Sequence, residues 1–160
     1  MNTQQNFAVN DYDKRNKLLL GSDAPVILAL FAYYKDNPRT PLTLWDEKVN
    51  NITPPDISNK PNIIRGNVLE PVVRDVLIPI FHPDIEVVED LNTYYSPDND
   101  FMACHIDGQV VGKKRLAEIK CPAFGPMTNW KRDGKYYLPD YVRAQCLHIL
   151  ACIVTLRGLT

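Results

Sequence analysis

The sequence lacks the signatures of several protein classes. No apolar run approaches the ~20 residues that a membrane-spanning helix needs, which argues against a membrane protein. The polar N-terminal stretch has no apolar segment behind a basic one, so no secretory signal is visible. Neither H-E-x-x-H nor G-x-S-x-G occurs, so the motifs of metalloproteases and of nucleophilic hydrolases are absent.

Cysteine is scarce, and its spacing indicates no metal or disulfide framework. None of the four cysteines forms a C-x-x-C, and no histidine pair stands at zinc spacing. We therefore expect small, reduced core residues in a cytoplasmic protein. The four positions are Cys104, Cys121, Cys146 and Cys152.

The composition is that of an ordinary globular domain. Hydrophobic residues make up 45% and charged residues 23% of 160 residues, which excludes a wholly disordered chain, a collagen and a coiled coil. This length fits one domain, and we predict a loose tail over residues 1–12 and a single domain over residues 13–160.

The charges are unevenly distributed along the chain. Residues 1–112 carry 9 Lys/Arg and 16 Asp/Glu, whereas residues 113–160 carry 9 Lys/Arg and 3 Asp/Glu. A basic C-terminal third is typical of proteins that bind an anionic polymer. Alternatively, the two parts neutralise each other in the fold, and charge alone leaves both interpretations open.

The order of predicted elements is helices, then three strands, then a helix, which indicates an α+β or mixed α/β fold with a small sheet. Ser22 is the predicted N-cap of an early helix, and Pro71 is predicted to kink or break a later one. The predicted helices cover residues 13–20, 23–37, 40–49, 62–78 and 139–156. The predicted strands lie in residues 85–91 and 101–121, with a loop over 92–100 and an irregular segment over 122–137 that includes one helical turn near 126–130.

The strongest chemical signal is a predicted hairpin. A two-residue turn at Gly112-Lys113 would pair Asp107 with Glu118 on one face, with Lys120 on the same side. Two carboxylates in directly opposite positions repel each other, which favours a bound cation or a raised pKa. The alternative is a solvated polar face on which the lysine compensates the two acids.

This set of residues is suited to metal-assisted phosphodiester hydrolysis. Mg²⁺ or Mn²⁺ takes oxygen ligands and lowers the pKa of a bound water. A lysine beside the ion stabilises developing negative charge or orients the water.

Five segments together resemble the YqaJ-like viral recombinase or lambda exonuclease family of the PD-(D/E)XK nuclease superfamily. They occur in the family's order across residues 15–155. The segments are RNKLLLGS with DAPVILALF (15–31), LWDEK (44–48), RGNVLEP (65–71), the core DG with EIKCP (107–108 and 118–122), and YVRAQ (141–145).

The resemblance implies a restriction-endonuclease-like core with a small mixed sheet flanked by helices, and an Mg²⁺-dependent 5′-to-3′ exonuclease, with Mn²⁺ as a substitute. It also implies duplex DNA ends as substrate in a bacterial or phage-infected cell, a single-strand-annealing protein as partner, and a possible homo-oligomer. Family members continue well past the glutamine helix, so we expect a domain shortened at its C-terminus.

By position, the resemblance assigns roles to eight residues. The implied metal ligands are Asp107, Glu118, the backbone carbonyl of Ile119, and Glu70. Lys120 is the implied catalytic lysine, and Gln145 is implied to approach the site. A pocket for a terminal 5′-phosphate is implied at Arg15 and Ser22. Asp98 and Asp100 do not align with an additional acidic ligand of some members and stay outside the metal set.

Several alternatives remain open at the level of sequence. Glu70 could instead form an i,i+4 ion pair with Arg74 on a solvated face, and Gln145 could be an exposed helical polar residue. Ser22 could act only as a helix cap. The whole chain could be a non-catalytic DNA-binding protein on the same fold, or an endonuclease of the same superfamily.

Overall fold

The computed structural model describes residues 12–30, 39–122 and 130–153, which belong to two compact units. The first unit draws on Met1–Pro54, Asn92–His105 and Leu138–Thr160, and the second on Pro55–Leu91 and Ile106–Tyr137. None of the helices in the described ranges combines the length and hydropathy that a membrane crossing needs.

Along the described chain, a series of helical elements is followed by seven short strands and a final helix. The helical elements are α1 (Tyr12–Arg15), α2 (Ala24–Ile27), α3 (Pro41–Val49), α4 (Pro61–Val72), a π-helical segment (Val73–Leu77), α5 (Ile78–Phe81) and α6 (Asp140–Ile153). The strands are β1 (Val87–Val88), β2 (Tyr94–Tyr95), β3 (Ala103–Cys104), β4 (Gly108–Val110), β5 (Leu116–Ala117), β6 (Lys131–Arg132) and β7 (Lys135–Tyr136).

The first unit is built around β2, β3 and the segment before α2. Tyr94 pairs with Cys104 in an antiparallel ladder, and Leu19 forms a parallel bridge with Met102 on the other side of β3. The β2 strand lies inside the stretch that the sequence predicted to be a loop, so that prediction was wrong. Its Tyr-Tyr pair, which suits a half-buried pleated surface, was the available signal.

Helix α2 is shorter than predicted, and Ser22 does not cap it. The helix begins at Ala24 after Asp23, while Ser22 is exposed in the preceding turn. It ends because Ala29 adopts φ 53°, and Leu30 N–H then donates to Pro25 O in a Schellman-type termination. The predicted continuation over residues 31–37 lies outside the described residues.

A buried carboxylate fixes this corner of the first unit. Asp23 is fully buried, accepts the N–H of Leu20 at 3.0 Å, and forms ion pairs with Arg39 at 2.9 Å and Lys48 at 3.1 Å. Arg39 also pairs with Glu47 at 2.5 Å. Because a buried charge is costly without partners, these contacts hold the chain before α2 against α3.

The second unit contains the long helical stretch and the sheet that carries the predicted hairpin. The predicted helix over 62–78 is present and extends from Pro61 to Phe81, and Pro71 does not break it. Instead, the hydrogen-bond pattern widens to a π-helical segment immediately after the proline, which is one of the ways a helix accommodates such a residue.

The sheet of the second unit has the order β1-β4-β5, and both pairings are antiparallel. Gly108 pairs with Ala117, and Gln109 pairs with Leu116, which is the predicted hairpin register. The turn itself is wider than predicted. Lys113 N–H donates to Val110 O, and Gly112 takes φ 68° inside that turn.

A second hairpin, β6–β7, occupies part of the segment that the sequence predicted to be irregular. Lys131 pairs with Tyr136, and Arg132 pairs with Lys135. Asp133 and Gly134 have φ 49° and 76°, as the two central residues of a type I′ turn require. Residues 123–129, which hold most of the predicted helical turn, lie outside the described residues.

Gly108 lies where β1 approaches β4 too closely for a side chain. A Cβ at this position would come within 2.7 Å of both Val87 Cγ1 and the backbone oxygen of Val88. Gly66 in α4 differs, because a Cβ there would meet nothing within 4 Å.

We expect Gly108→Ala to destabilise the protein and Gly66→Ala to stabilise it. Overpacking against the β1 backbone typically costs about 1–3 kcal/mol, whereas replacing a helical glycine gains about 0.5–1 kcal/mol. Chemical denaturation of the two variants measures both changes, and equal stability of the two variants would contradict the close packing of β1 on Gly108.

Candidate functional site

The hairpin register brings the two predicted carboxylates together. Since Gly108 pairs with Ala117, Asp107 and Glu118 are the residues that flank the last pair of β4 and β5. The side chain of Asp107 also reaches across the hairpin, where one carboxylate oxygen accepts the N–H of Ile119 at 2.5 Å. The predicted register is therefore confirmed as far as the pair Gly108–Ala117, after which the Asp107 side chain bonds to the opposite chain.

Lys120 lies on the same side and contacts Glu118. Its ammonium forms an ion pair and hydrogen bond with the Glu118 carboxylate. The Glu118 side chain is 13% exposed and that of Lys120 is 31% exposed, so the pair sits at the border of solvent. One acid of the pair is thus engaged by a backbone amide and the other by the lysine.

Glu70 of α4 is the third acid in this group. Burial raises the pKa of Glu70, and the negative charge of Asp107 raises it further, while Arg74 and Lys120 oppose the shift. Burial likewise raises the pKa of Glu118, with the charges of Asp107 and Glu70 adding to the effect and Lys120 opposing it. These mutual effects place the three carboxylates within electrostatic reach of one another.

The alternative role of Glu70 as a partner of Arg74 is also visible in the structure. Glu70 Oε1 lies 3.9 Å from Arg74, which makes shorter contacts with Asp75 at 2.8 Å and Glu89 at 3.3 Å. The Arg74 side chain is 7% exposed. Arg74 is therefore a buried cation that pairs mainly with Asp75 and Glu89, and its contact with Glu70 is the longest of the three.

Sequence reasoning treated Arg74 only as a surface partner and did not consider Glu89. The i,i+4 spacing from Glu70 is a signal for an ion pair, but a spacing does not reveal that the arginine is buried. The contact with Glu89, which precedes Asp90 at the end of β1, depends on tertiary packing of that segment against the helix.

Arg65 connects α4 to the chain after the predicted catalytic lysine. Its guanidinium Nε donates to the backbone oxygen of Cys121 at 3.3 Å. This contact ties the first turns of the helix that carries Glu70 to the segment that follows Lys120. The predicted core position holds for Cys104 and Cys152, which are buried, whereas Cys121 and Cys146 are only half-buried.

The other predicted residues belong to the first unit. Gln145 lies on α6 beside Gly21, where a Cβ would come within 3.4 Å of Gln145 Cγ. Arg15 is half-buried, and its backbone oxygen accepts the Lys48 ammonium at 2.7 Å. Asp98 and Asp100 are exposed in the turn between β2 and β3. The functional roles of Gln145, Arg15 and Ser22 stay predictions.

The chemistry of the donors in the second unit fits a hard divalent cation. Three mutually repelling carboxylates and a peptide carbonyl at Ile119 are oxygen donors of the kind that Mg²⁺ or Mn²⁺ takes. Across the described ranges, no three His, Cys, Asp or Glu side chains converge at ligating distance. Asp107 is instead bonded to the Ile119 N–H, and Glu118 to the Lys120 ammonium.

Comparison with known proteins identifies the family. The family model of the YqaJ-like viral recombinase domain matches residues 12–155. The chain belongs to this family. No curated protein matches the sequence.

Solved structures show the same fold as the YqaJ-like chain. This chain is similar to the crystal structure of an alkaline exonuclease (LHK-Exo) from Laribacter hongkongensis, with 18% sequence identity and a TM-score of 0.58. The match covers 88% of this chain and 66% of the LHK-Exo chain. LHK-Exo in complex with dAMP gives 20% identity, a TM-score of 0.59, and coverage of 89% and 67%. The fold is thus the PD-(D/E)XK nuclease fold, as the resemblance implied.

We expect Glu118→Gln to raise the stability of the metal-free protein at neutral pH. The raised pKa of Glu118 means that folding disfavours its charged form, so the penalty is present above the folded pKa. A gain of about 0.5 kcal/mol corresponds to a rise in Tm of about 1–2 °C. Thermal unfolding in EDTA at pH 7 measures it.

The gain should vanish as the pH falls below about 4.5, the ordinary pKa, because Glu118 is then protonated in both states. Glu86→Gln, at an exposed position in the same unit, is the control and should leave Tm unchanged. A lower Tm for Glu118→Gln at pH 7 would show that the Lys120 ion pair outweighs the repulsion.

Proposed function

We propose that this YqaJ-like chain is a metal-dependent deoxyribonuclease that resects linear duplex DNA ends in the 5′-to-3′ direction. The observation that carries the proposal is the pairing of Gly108 with Ala117, which sets Asp107 opposite Glu118 beside Lys120. Family membership supports a nuclease, and the fold neighbours are structures of an alkaline exonuclease, one of them with dAMP.

In this proposal Asp107, Glu118, Glu70 and the carbonyl of Ile119 hold Mg²⁺, or Mn²⁺ in its place. The ion would polarise the scissile phosphate and lower the pKa of a water that attacks it. Glu118, which now contacts Lys120, would hold the ion, and the Lys120 ammonium would then be available to stabilise developing negative charge. Arg74 keeps Glu89 and Asp75 neutralised beside Glu70.

The reaction should require both the metal and a DNA end. We expect loss of linear duplex with Mg²⁺, no loss in EDTA, and no loss of covalently closed duplex under either condition. Cleavage of the closed form would instead indicate an endonuclease. Cleavage of neither form would favour a non-catalytic DNA-binding protein on the same fold.

We expect Asp107→Asn to lower the cleavage rate at least about 100-fold. The amide oxygen can still accept the Ile119 N–H, so the hairpin should remain folded while one charged oxygen donor is lost. Asp84→Asn, at an exposed position of the same unit, is the matched control and should cleave normally. Near-normal Mg²⁺-dependent cleavage by Asp107→Asn would show that the site lies elsewhere.

Lys120→Ala separates catalysis from metal binding in the same assay. This variant should lose activity to a similar degree and still bind Mn²⁺ by calorimetry, because the lysine is not a ligand in the proposal. Loss of Mn²⁺ binding would assign Lys120 a structural role instead.

A terminal-phosphate pocket in the first unit is a further part of the proposal. The exposed position of Ser22 removes the helix-terminus argument for it, so Arg15 now carries the prediction. A cavity of about 290 Å³ is lined by Asn16, Lys17, Lys48 and Asn51. Arg15 is the chain neighbour of Asn16, one of these lining residues. Lys48 is already bonded to Asp23 and to the Arg15 backbone oxygen, so Lys17 is the lining cation that would meet a phosphate.

We expect faster digestion of 5′-phosphorylated than of 5′-hydroxyl linear duplex. Arg15→Ala should lose most of this preference while still cutting slowly, because a guanidinium contact to the terminal phosphate is removed. Lys14→Ala, at an exposed neighbouring position, is the control. Equal rates on the two ends with the unmodified protein would remove the pocket from the mechanism.

A further inference from the structure

The β6–β7 hairpin presents an open aromatic ring beside a lysine. Tyr136 is 84% exposed, and the Lys131 ammonium lies 5.7 Å from the centre of the Tyr136 ring. Lys131 and Lys135 are both exposed, and in the described part of the chain neither forms an ion pair with an acid.

The hairpin geometry holds this arrangement in place. Lys131 and Tyr136 are directly paired across the two strands, so their side chains share one face. The type I′ turn at Asp133-Gly134 matches the twist of the strands, and Tyr137 N–H donates to Trp130 O at 2.8 Å at the base of the hairpin. The ring and the ammonium are thus pre-organised before any ligand arrives.

We propose that the β6–β7 hairpin binds single-stranded DNA, with a base stacked on Tyr136 and a phosphate contacted by Lys131, which shares its face. The inference rests on the proposed DNA nuclease function and adds a strand contact to it. Aromatic rings beside basic side chains are the usual means of binding single strands without sequence preference.

The exposed ring favours a single strand over a duplex. Bases inside a duplex are stacked on each other, so their faces cannot lie on a tyrosine ring, whereas the bases of a resected strand are free to do so. The residues 131–136 carry three basic side chains and one acidic one, which suits a phosphate backbone. The hairpin would therefore hold a strand that duplex resection leaves single.

The test is binding of a labelled oligothymidine of about 16 nucleotides, measured by fluorescence anisotropy in EDTA so that cleavage cannot interfere. We expect Tyr136→Ala to weaken binding about 5- to 100-fold, and Tyr136→Phe to bind like the unmodified protein. Lys131→Ala should lower the salt dependence of log K by about 0.7. Lys114→Ala, an exposed lysine on the β4–β5 turn, should change the affinity for the strand much less than Tyr136→Ala does.

Binding of Tyr136→Ala that equals that of the unmodified protein would overturn the proposal. Equal weakening of a duplex of the same sequence, or loss of binding in Tyr136→Phe as well, would also overturn it, because stacking on the ring would then not be the cause. Far-UV circular dichroism of each variant confirms that the chain is folded.

The measurement is independent of the nuclease assay. If Asp107→Asn shows no catalytic defect, the proposed active site fails while the effect of Tyr136→Ala on strand binding can still be observed. If Tyr136→Ala binds normally while Asp107→Asn is inactive, only the hairpin proposal fails.

Discussion

The antiparallel register between β4 and β5 forces two carboxylates into opposite positions, and the remaining features of the second unit can be understood as responses to that repulsion. Asp107 turns toward a backbone N–H, Glu118 takes the Lys120 ammonium, and the acids around α4 gather on a buried Arg74. In water, two repelling carboxylates would move apart. In this half-buried hairpin, the strand pairing fixes the backbone of both residues, so only their side chains can adjust.

The helix that carries Glu70 is positioned by contacts on both sides of that residue. Arg65, one and a half turns earlier, reaches the backbone oxygen of Cys121, and Arg74, one turn later, reaches Glu89. Both cations therefore connect α4 to parts of the sheet segment rather than to solvent. Glu70 is approached by Arg74 only at 3.9 Å, which leaves its carboxylate the least constrained of the three.

The sequence predicted the parts of the structure that depend on local patterns. The alternation around Asp107 and Glu118 identified the register, and Thr40 with Pro41 identified the start of α3, where Thr40 indeed caps the helix. It failed where local signals compete. Ser22 is a good cap residue in isolation, but the burial of Asp23 with Arg39 and Lys48 decides where α2 begins.

Other failures came from signals that were present but not used. The Asp133-Gly134 pair is a strong hairpin signal, and it forms the β6–β7 turn within a segment predicted to be irregular. The burial of Arg74, in contrast, follows from the packing of α4 and the π-helical segment against the end of β1. No spacing within one helix reveals such a contact.

Because Gly108 has no side chain, β1 and β4 touch through their backbones beside Asp107. Any side chain at position 108 would push β1 away from β4, where Val88 pairs with Gln109, and would disturb the backbone next to Asp107. The Asp107-Gly108 pair thus links the packing of the edge strand β1 to the position of a carboxylate in the candidate site.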